Sequence, residues 1–331
     1  MFVFNFLIFA LILLVAVALL FFRKWKISGF LFVVVIFLNN YWEICPINVY
    51  SEENIVKGDT FRIVTYNIYP NTDSTHLVEW QKQMFEEIKR LNPDILCLQE
   101  FNVRKLPLLE DELCKFYSYS PDKKKQRKKL RGKLYSHYEL TDIRTYKPLS
   151  VLDSLDYSES FRKSIKVHNR RQPFYSAVVH LPSGDSVVVY SCHLQSNGYS
   201  TLRRQMKDKS WFVGIPEYYS AIREAEKIRL WEASNLRTYI DSLYPSRNIV
   251  VAGDFNDFSA SETVKTAMGN NLQDVWWNYG TGLGITYSDF HLNLRLDHIL
   301  VNDQTRVIYI NVEDCRLSDH RPLVVDCALS R

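Results

Sequence analysis

Asn248-Ile-Val-Val-Ala-Gly253-Asp254-Phe-Asn256-Asp257 is the stretch from which the fold can be read. The apolar run 249–252 has the length and composition of a buried strand. Gly253 is expected to let the backbone turn sharply, because it carries no Cβ. Asp254 and Asn256 stand two apart, and in an extended chain residues two apart share a side. A carboxylate there can take a proton from water or bind a metal, and an amide can donate to an oxyanion. The same letters also suit an Asx-rich turn that closes an ordinary strand. Other stretches of the chain decide between the two.

Working upstream, apolar residues at helical spacing (Tyr218, Ile222, Ala225, Ile228, Trp231, Leu236, Ile240, Leu243) predict a long helix over 217–243. Before it, 174–181 and 186–191 flank Pro182-Ser-Gly-Asp185 and read as a hairpin, with His193 and Asn197 just past its second strand. Residues 61–68 alternate, carry β-branched side chains and end near Asn67. A helix follows over 76–91 (Leu77, Trp80, Met84, Ile88, Leu91), stopped by Asn92-Pro93-Asp94. The short strand 95–100 then ends in Glu100. Strand, helix and strand in sequence mark a layered αβ architecture.

Downstream, Gly280-Thr-Gly-Leu-Gly284 lacks the strand–helix setting of a dinucleotide fingerprint and reads as a loop. Residues 295–301 form a strand that includes Asp297. A loop with Ser318, Asp319 and His320 leads into the last strand, 323–329. No element is placed over 141–172, and no internal repeat is found.

The chain has 331 residues, 47% of them apolar and 24% charged, which is enough for a large core. A net charge of +4 is too mild to indicate nucleic acid by itself. The six cysteines show no Cys-x-x-Cys spacing, which argues against a zinc site. Cys97 and Cys192 lie in strand-like runs and are expected to be buried free thiols. The basic run 123–133 reads as a solvated loop, with phosphate contact as its functional alternative.

Residues 1–46 are expected to be a membrane anchor, 47–60 a linker and 61–331 the catalytic domain. The run 2–22 is almost wholly apolar and long enough to span a bilayer. A weaker run, 27–38, with Tyr41-Trp42 beyond it, reads as a second span. Arg23, Lys24 and Lys26 lie between the two. Positive residues mark the cytoplasmic side, so a hairpin puts the large domain outside the cytoplasm. If only the first run spans, the domain lies inside.

Polar residues therefore recur at strand ends: Asn67, Glu100, His193, Asp254 with Asn256, and Asp319 with His320. Six segments in order resemble the endonuclease/exonuclease/phosphatase superfamily, whose fold is DNase I-like. They are Thr65-Tyr-Asn67, Leu98-Gln-Glu100, Ser191-Cys-His193-Leu, Gly253-Asp-Phe-Asn256 with Asp257, Arg295-Leu-Asp297-His298 and Ser318-Asp319-His320. The membrane-anchored layout resembles bacterial members, which implies a bacterial inner membrane as the location. The family's Gly-rich stretch before the hairpin is absent, and Tyr175 is a weak match to an active-site tyrosine of its abasic-site endonucleases.

The resemblance implies a four-layer αββα sandwich (α/β, or α+β) of two mostly antiparallel sheets, here preceded by N-terminal transmembrane segments. It implies a Mg²⁺-dependent phosphoric ester hydrolase, with Mn²⁺ as an alternative ion. Glu100 would hold the metal, with Asn67 and Asp319 beside it. Asp254 would deprotonate the attacking water. Asn256 and His320 would bind the phosphate, as would Asn67. His193 would act on the phosphate or leaving group, and Asp297 would orient His320. Nucleic acid, nucleotides and phospholipid head groups are the substrate classes it allows. A sphingomyelinase-like lipid phosphodiesterase and a catalytically inactive binding module are the competing functions.

Overall fold

The computed structural model describes residues 60–70, 75–120, 133–145, 173–197, 211–243, 247–289 and 292–329, with residue 72 and parts of the N-terminal region (12, 14, 15, 17–37, 45, 46 and 48). The helices are α1 (Trp25–Phe37), α2 (Leu77–Leu91), α3 (Pro107–Phe116), α4 (Trp211–Leu243), α5 (Glu262–Met268) and α6 (Val275–Tyr279). The strands are β1 (Thr60–Asn67), β2 (Ile95–Gln99), β3 (Lys133–Ser136), β4 (Glu139–Thr145), β5 (Phe174–His180), β6 (Ser186–His193) and β7 (Asn248–Asp254), then β8 (Leu272–Asp274), β9 (Tyr287–Asp289), β10 (Leu292–Leu294), β11 (Asp297–Asn302), β12 (Thr305–Val312) and β13 (Leu323–Leu329).

Two sheets carry the fold. One runs β12-β13-β1-β2-β3 and the other β4-β5-β6-β7-β11-β8, while β9 and β10 form a small separate ribbon. Every pairing is antiparallel except one in each large sheet, β1 with β2 and β6 with β7. Those two parallel pairs matter for function, because parallel neighbours end side by side. A polar residue at each C-terminus then meets its neighbour without any special turn.

Alternating side chains point to opposite faces of a strand, so each sheet packs on both sides. Between the sheets, Ile63 and Cys97 meet Val187, Val189, Val250, Ala252 and Ile299. Outside the first sheet, Val64, Tyr66, Leu96 and Leu98 take the apolar stripe of α2 (Trp80, Met84, Ile88, Leu91) and Leu109 and Leu113 of α3. Outside the second, Val188, Tyr190 and Val251 take Ile228, Trp231, Leu236 and Ile240 of α4. The layers are therefore helix, sheet, sheet, helix. Each fully buried aliphatic side chain contributes about 1.5–3 kcal/mol, and truncating Ile88 or Leu236 to Ala is expected to cost about 2–5 kcal/mol.

The helix expected over 76–91 forms as α2. It stops at Asn92, whose left-handed conformation (φ 48°) lets its N–H reach the carbonyls of Ile88 and Lys89. Cys97 and Cys192 are buried and free. Within the basic run, 121–132 fall outside the described residues. Lys133 is not a solvated charge: its side chain is 2% exposed and pairs with Glu110 at 3.1 Å.

The first expected membrane span, 2–22, falls largely outside the described residues. The second coincides with α1, whose 13 residues reach about 20 Å at 1.5 Å per residue, short of a bilayer core of about 30 Å. Among the described residues no helix is long and apolar enough to cross a membrane. Phe21, Phe22, Trp25, Ile27 and Phe30 are exposed. Asn48, in the expected linker, donates to the carbonyls of Trp277 and Gly280 at 3.0 and 2.7 Å.

Candidate active site

Three adjacent strand ends of the second sheet bring the first group of polar residues together. His193 of β6 is paired with Asp254 of β7, and Asp254 with Asp297 of β11. The parallel pair of the facing sheet supplies Asn67 from β1, and Glu100 directly after β2. Asn67 closes the gap between the sheets by donating Nδ2–H to Asp254 Oδ2 at 2.9 Å. Asp319 and His320 arrive on the loop before β13. Ser318 ties that loop to β1, its Oγ–H donating to the Asn67 carbonyl at 2.8 Å.

Asp254 is 1% exposed. Its Oδ1 accepts the Asn256 N–H at 2.8 Å. Burial pushes its carboxyl above the ordinary value, opposed chiefly by His320 and reinforced by the like charge of Asp297. His320 Nδ1 donates to Asp297 Oδ2 at 2.7 Å, and its Nε2 lies 3.7 Å from Asp254 Oδ2. Burial disfavours charge on this ring, but Asp297 and Asp254 outweigh it and hold its pKa up at about 10. His320 is thus an imidazolium between two carboxylates at neutral pH. Thr286 Oγ fixes Asp297 by accepting the N–H groups of Leu296 and Asp297. The Tyr287 ring packs on His320 with centroids 4.9 Å apart.

Glu100 occupies the other side of the site. It holds a left-handed backbone, φ 57°, uncommon for a residue with a Cβ. Its Oε1 lies 3.7 Å from His193 Nε2, which in turn is 3.8 Å from Asp254 Oδ2. Asp319 is pushed up mainly by burial, with Glu100 among the lesser causes, so the two carboxylates feel each other. Asn67 Oδ1 is buried and has no hydrogen-bond partner. Two carboxylates beside an orphaned amide oxygen fit a hard divalent cation, which takes oxygen ligands. Asp254, Asp297 and His320 also bring ligand-type atoms within 4.8 Å of one another. In that group His320 Nδ1 and Asp297 Oδ2 already bond to each other and Asp254 Oδ2 accepts from Asn67, which leaves the Glu100 side with the freer oxygen ligands.

Three expectations need correction. Asp254 and Asn256 do not share a side of an extended chain: Asn256 turns into the left-handed region (φ 53°), capped by the Asp254 carboxylate. Its Nδ2–H donates to the Leu194 carbonyl at 3.1 Å, so the amide locks the loop after β6. Gly253 does not make a turn either. It lies inside β7, where a Cβ would sit 2.0 Å from the Cys192 carbonyl oxygen. Tyr175 packs in the core between the sheets with its hydroxyl buried, so it presents no group to a substrate.

Behind the site stands a second buried layer of polar residues, of which Asp257, Arg295 and His298 lie in the motifs quoted above and Arg229, Thr263 and Asp274 do not. Asp257 accepts from Arg229 and Thr263. Asp274 joins Arg295 and His298 in a buried network, and His298 Nε2 reaches the Asp257 carbonyl at 2.9 Å. Arg295 and His298 belong to a recognisable motif, but their partner stands more than twenty residues upstream in no motif at all.

The model of the Endonuclease/Exonuclease/phosphatase family matches residues 47–320. Protein angel of Drosophila melanogaster is 23% identical over 229 residues, 65% of this chain, and the match spans 57% of that relative's length. An endonuclease/exonuclease/phosphatase from Bacteroides vulgatus has a similar fold, with TM-score 0.58 and 19% identity over 82% of this chain and 99% of that one. So does D. rerio TDP2 complexed with single strand DNA product, with TM-score 0.54 and 12% identity over 81% and 98%.

Proposed function

We propose that this chain, which belongs to the Endonuclease/Exonuclease/phosphatase family, uses Asp254-activated water and the His320 imidazolium to cleave phosphodiesters, with nucleic acid the favoured substrate class. Family membership makes it a phosphoester-hydrolysing, nuclease-like enzyme. One observation carries the proposed chemistry. The Asp297–His320 hydrogen bond of 2.7 Å aims a charged ring at the carboxylate of Asp254, which Asn67 holds from the other sheet.

In the reaction, Asp254 accepts a proton from water as the water oxygen attacks phosphorus, the ester phosphorus–oxygen bond breaks, and the departing alkoxide takes a proton from solvent to leave as the alcohol. The raised pKa of this carboxyl brings it closer to the operating pH, which strengthens it as a base. His320 donates to a phosphoryl oxygen as negative charge grows there. Such a donor is worth about 10²–10³ in rate, or about 2.7–4 kcal/mol. His193, beside both Glu100 and Asp254, faces the phosphate or the departing oxygen. Glu100, Asp319 and Asn67 Oδ1 would hold Mg²⁺ or Mn²⁺, which supplies polarisation of the phosphoryl group. The single-strand DNA product in the D. rerio TDP2 structure supports a nucleic acid substrate.

The test is a panel of DNA, RNA, sphingomyelin, phosphoinositides and nucleotides, each with Mg²⁺, Mn²⁺ or chelator. Cleavage of a nucleic acid that chelator abolishes is the expected result. Turnover of sphingomyelin alone would replace nucleic acid with a lipid head group, and turnover of nothing would favour a binding module. For location, the exposed apolar residues around Arg23, Lys24 and Lys26 support attachment to a membrane, and the catalytic domain lies outside the cytoplasm if both apolar runs cross as a hairpin. An alkaline phosphatase fused to the C-terminus should then be active. An inactive fusion beside an active cytoplasmic reporter reverses the assignment.

A further inference from the structure

No residue of α4 takes part in the proposed chemistry, yet that helix sends two buried charges toward the site. Arg229 is 2% exposed and Glu232 5% exposed. They stand three apart and so share one helix face. Arg229 donates Nη1–H to the Gln195 carbonyl at 3.1 Å and to Asn197 Oδ1 at 2.8 Å, and Nε–H to Asp257 Oδ2 at 3.2 Å. Glu232 Oε2 accepts the Gln195 N–H at 2.8 Å. One guanidinium therefore joins the loop after β6, which follows His193, to the loop after β7, which follows Asp254 and carries Asn256 and Asp257. The two loops also touch directly. Leu194 donates N–H to the Asp254 carbonyl at 2.9 Å, and Asn197 Nδ2 donates to the Asn256 carbonyl at 3.4 Å.

We propose that Arg229 is a positioning residue that clamps these two loops and so fixes His193 opposite Asp254. The inference rests on the roles given above to those two residues. A planar fork suits the task, since it meets three acceptors on two segments at once, which a lysine ammonium on a flexible stem does not reproduce. Nothing places the guanidinium against substrate, so it acts through geometry. A displacement of about 1 Å at reacting groups costs on the order of 10²-fold in rate.

The experiment uses the full chain with Mg²⁺ and bis(p-nitrophenyl) phosphate, comparing wild type, Arg229→Lys, Arg229→Ala and Arg237→Ala. Arg237 stands on the same helix but bonds the Met268 carbonyl and Asn271, away from the site. Arg229→Ala should lose about 10²-fold in kcat with KM little changed, and millimolar guanidinium should restore part of it. Arg229→Lys should fall between, and Arg237→Ala should lose stability without losing kcat. Amide hydrogen exchange at Leu194 and Asn256 should quicken in Arg229→Ala and slow again with guanidinium. This exchange decides the matter even if wild type hydrolyses nothing, an outcome that overturns the proposed chemistry and not the clamp. Unchanged exchange at both amides, or kcat of Arg229→Ala within about twofold of an active wild type, overturns the clamp.

Discussion

Replacing Asp297 by Asn removes the charge that keeps His320 protonated, and the size of the effect follows from the site. His320 is held at about 10 against an ordinary 6.5, because Asp297 and Asp254 together overcome burial. Asp297 is the nearer partner, hydrogen-bonded at 2.7 Å, whereas Asp254 lies at 3.7 Å. Asp297→Asn leaves burial in place and takes away the larger opposing charge, so the ring falls back toward its ordinary range. With a pKa near 6.5, about half the rings are charged at pH 6.5 and about 1% at pH 8.5. In wild type nearly all are charged at both. If the imidazolium stabilises the phosphoryl charge, kcat/KM of Asp297→Asn relative to wild type should be down about twofold at pH 6.5 and about 100-fold at pH 8.5. The assay is bis(p-nitrophenyl) phosphate hydrolysis from pH 6 to 9 at saturating Mg²⁺. Parallel profiles for the two proteins would refute the reasoning, whatever their absolute rates.

Glu100→Gln weakens an oxygen ligand, so part of its lost activity should return as Mg²⁺ is raised, whereas His320→Ala should show no such recovery; a metal titration of both variants checks this. Asp274 is held well below the usual carboxylate range. Burial alone would raise it, but Arg295 and His298 dominate. The folded pKa is depressed, so its contribution is present above the unfolded value near 3.9 and fades as pH falls below it. The urea midpoint should drop between pH 5 and 3, and Asp274→Asn should lose about 3–5 kcal/mol at pH 7 and flatten that slope. Gly253→Ala places a Cβ against the Cys192 backbone and should cost about 3 kcal/mol, the upper end for overpacking, read as a lower thermal midpoint.

The sheets were legible where burial on both faces writes long apolar runs. Strands β5, β6, β7 and β13 are of this kind, and each begins or ends within a few residues of its expected place. Strand β3 was hidden because its Lys133 is buried against Glu110, a pairing that no local pattern announces. Strand β4 is a polar edge strand, exposed or half-exposed along its length, and so carries little apolar signal. At the site, all eight expected residues come to one end of the sandwich, because polar residues at successive strand ends leave a periodic trace. Arg229, Asp274 and Thr286 leave none. The side chains and loop groups they hold at the site lie 10 to 34 residues away in sequence, and only the fold brings them together.

The central claim is that Asp254 directs water onto phosphorus. A single turnover of a phosphodiester in ¹⁸O-water, with wild type and Asp254→Asn, tests it most directly. The expected result is one ¹⁸O in the phosphoryl product, none in the released alcohol, and a rate in Asp254→Asn lower by roughly 10²–10⁴. Label in the alcohol, unlabelled phosphoryl product, or an Asp254→Asn enzyme turning over at the wild-type rate would contradict the account.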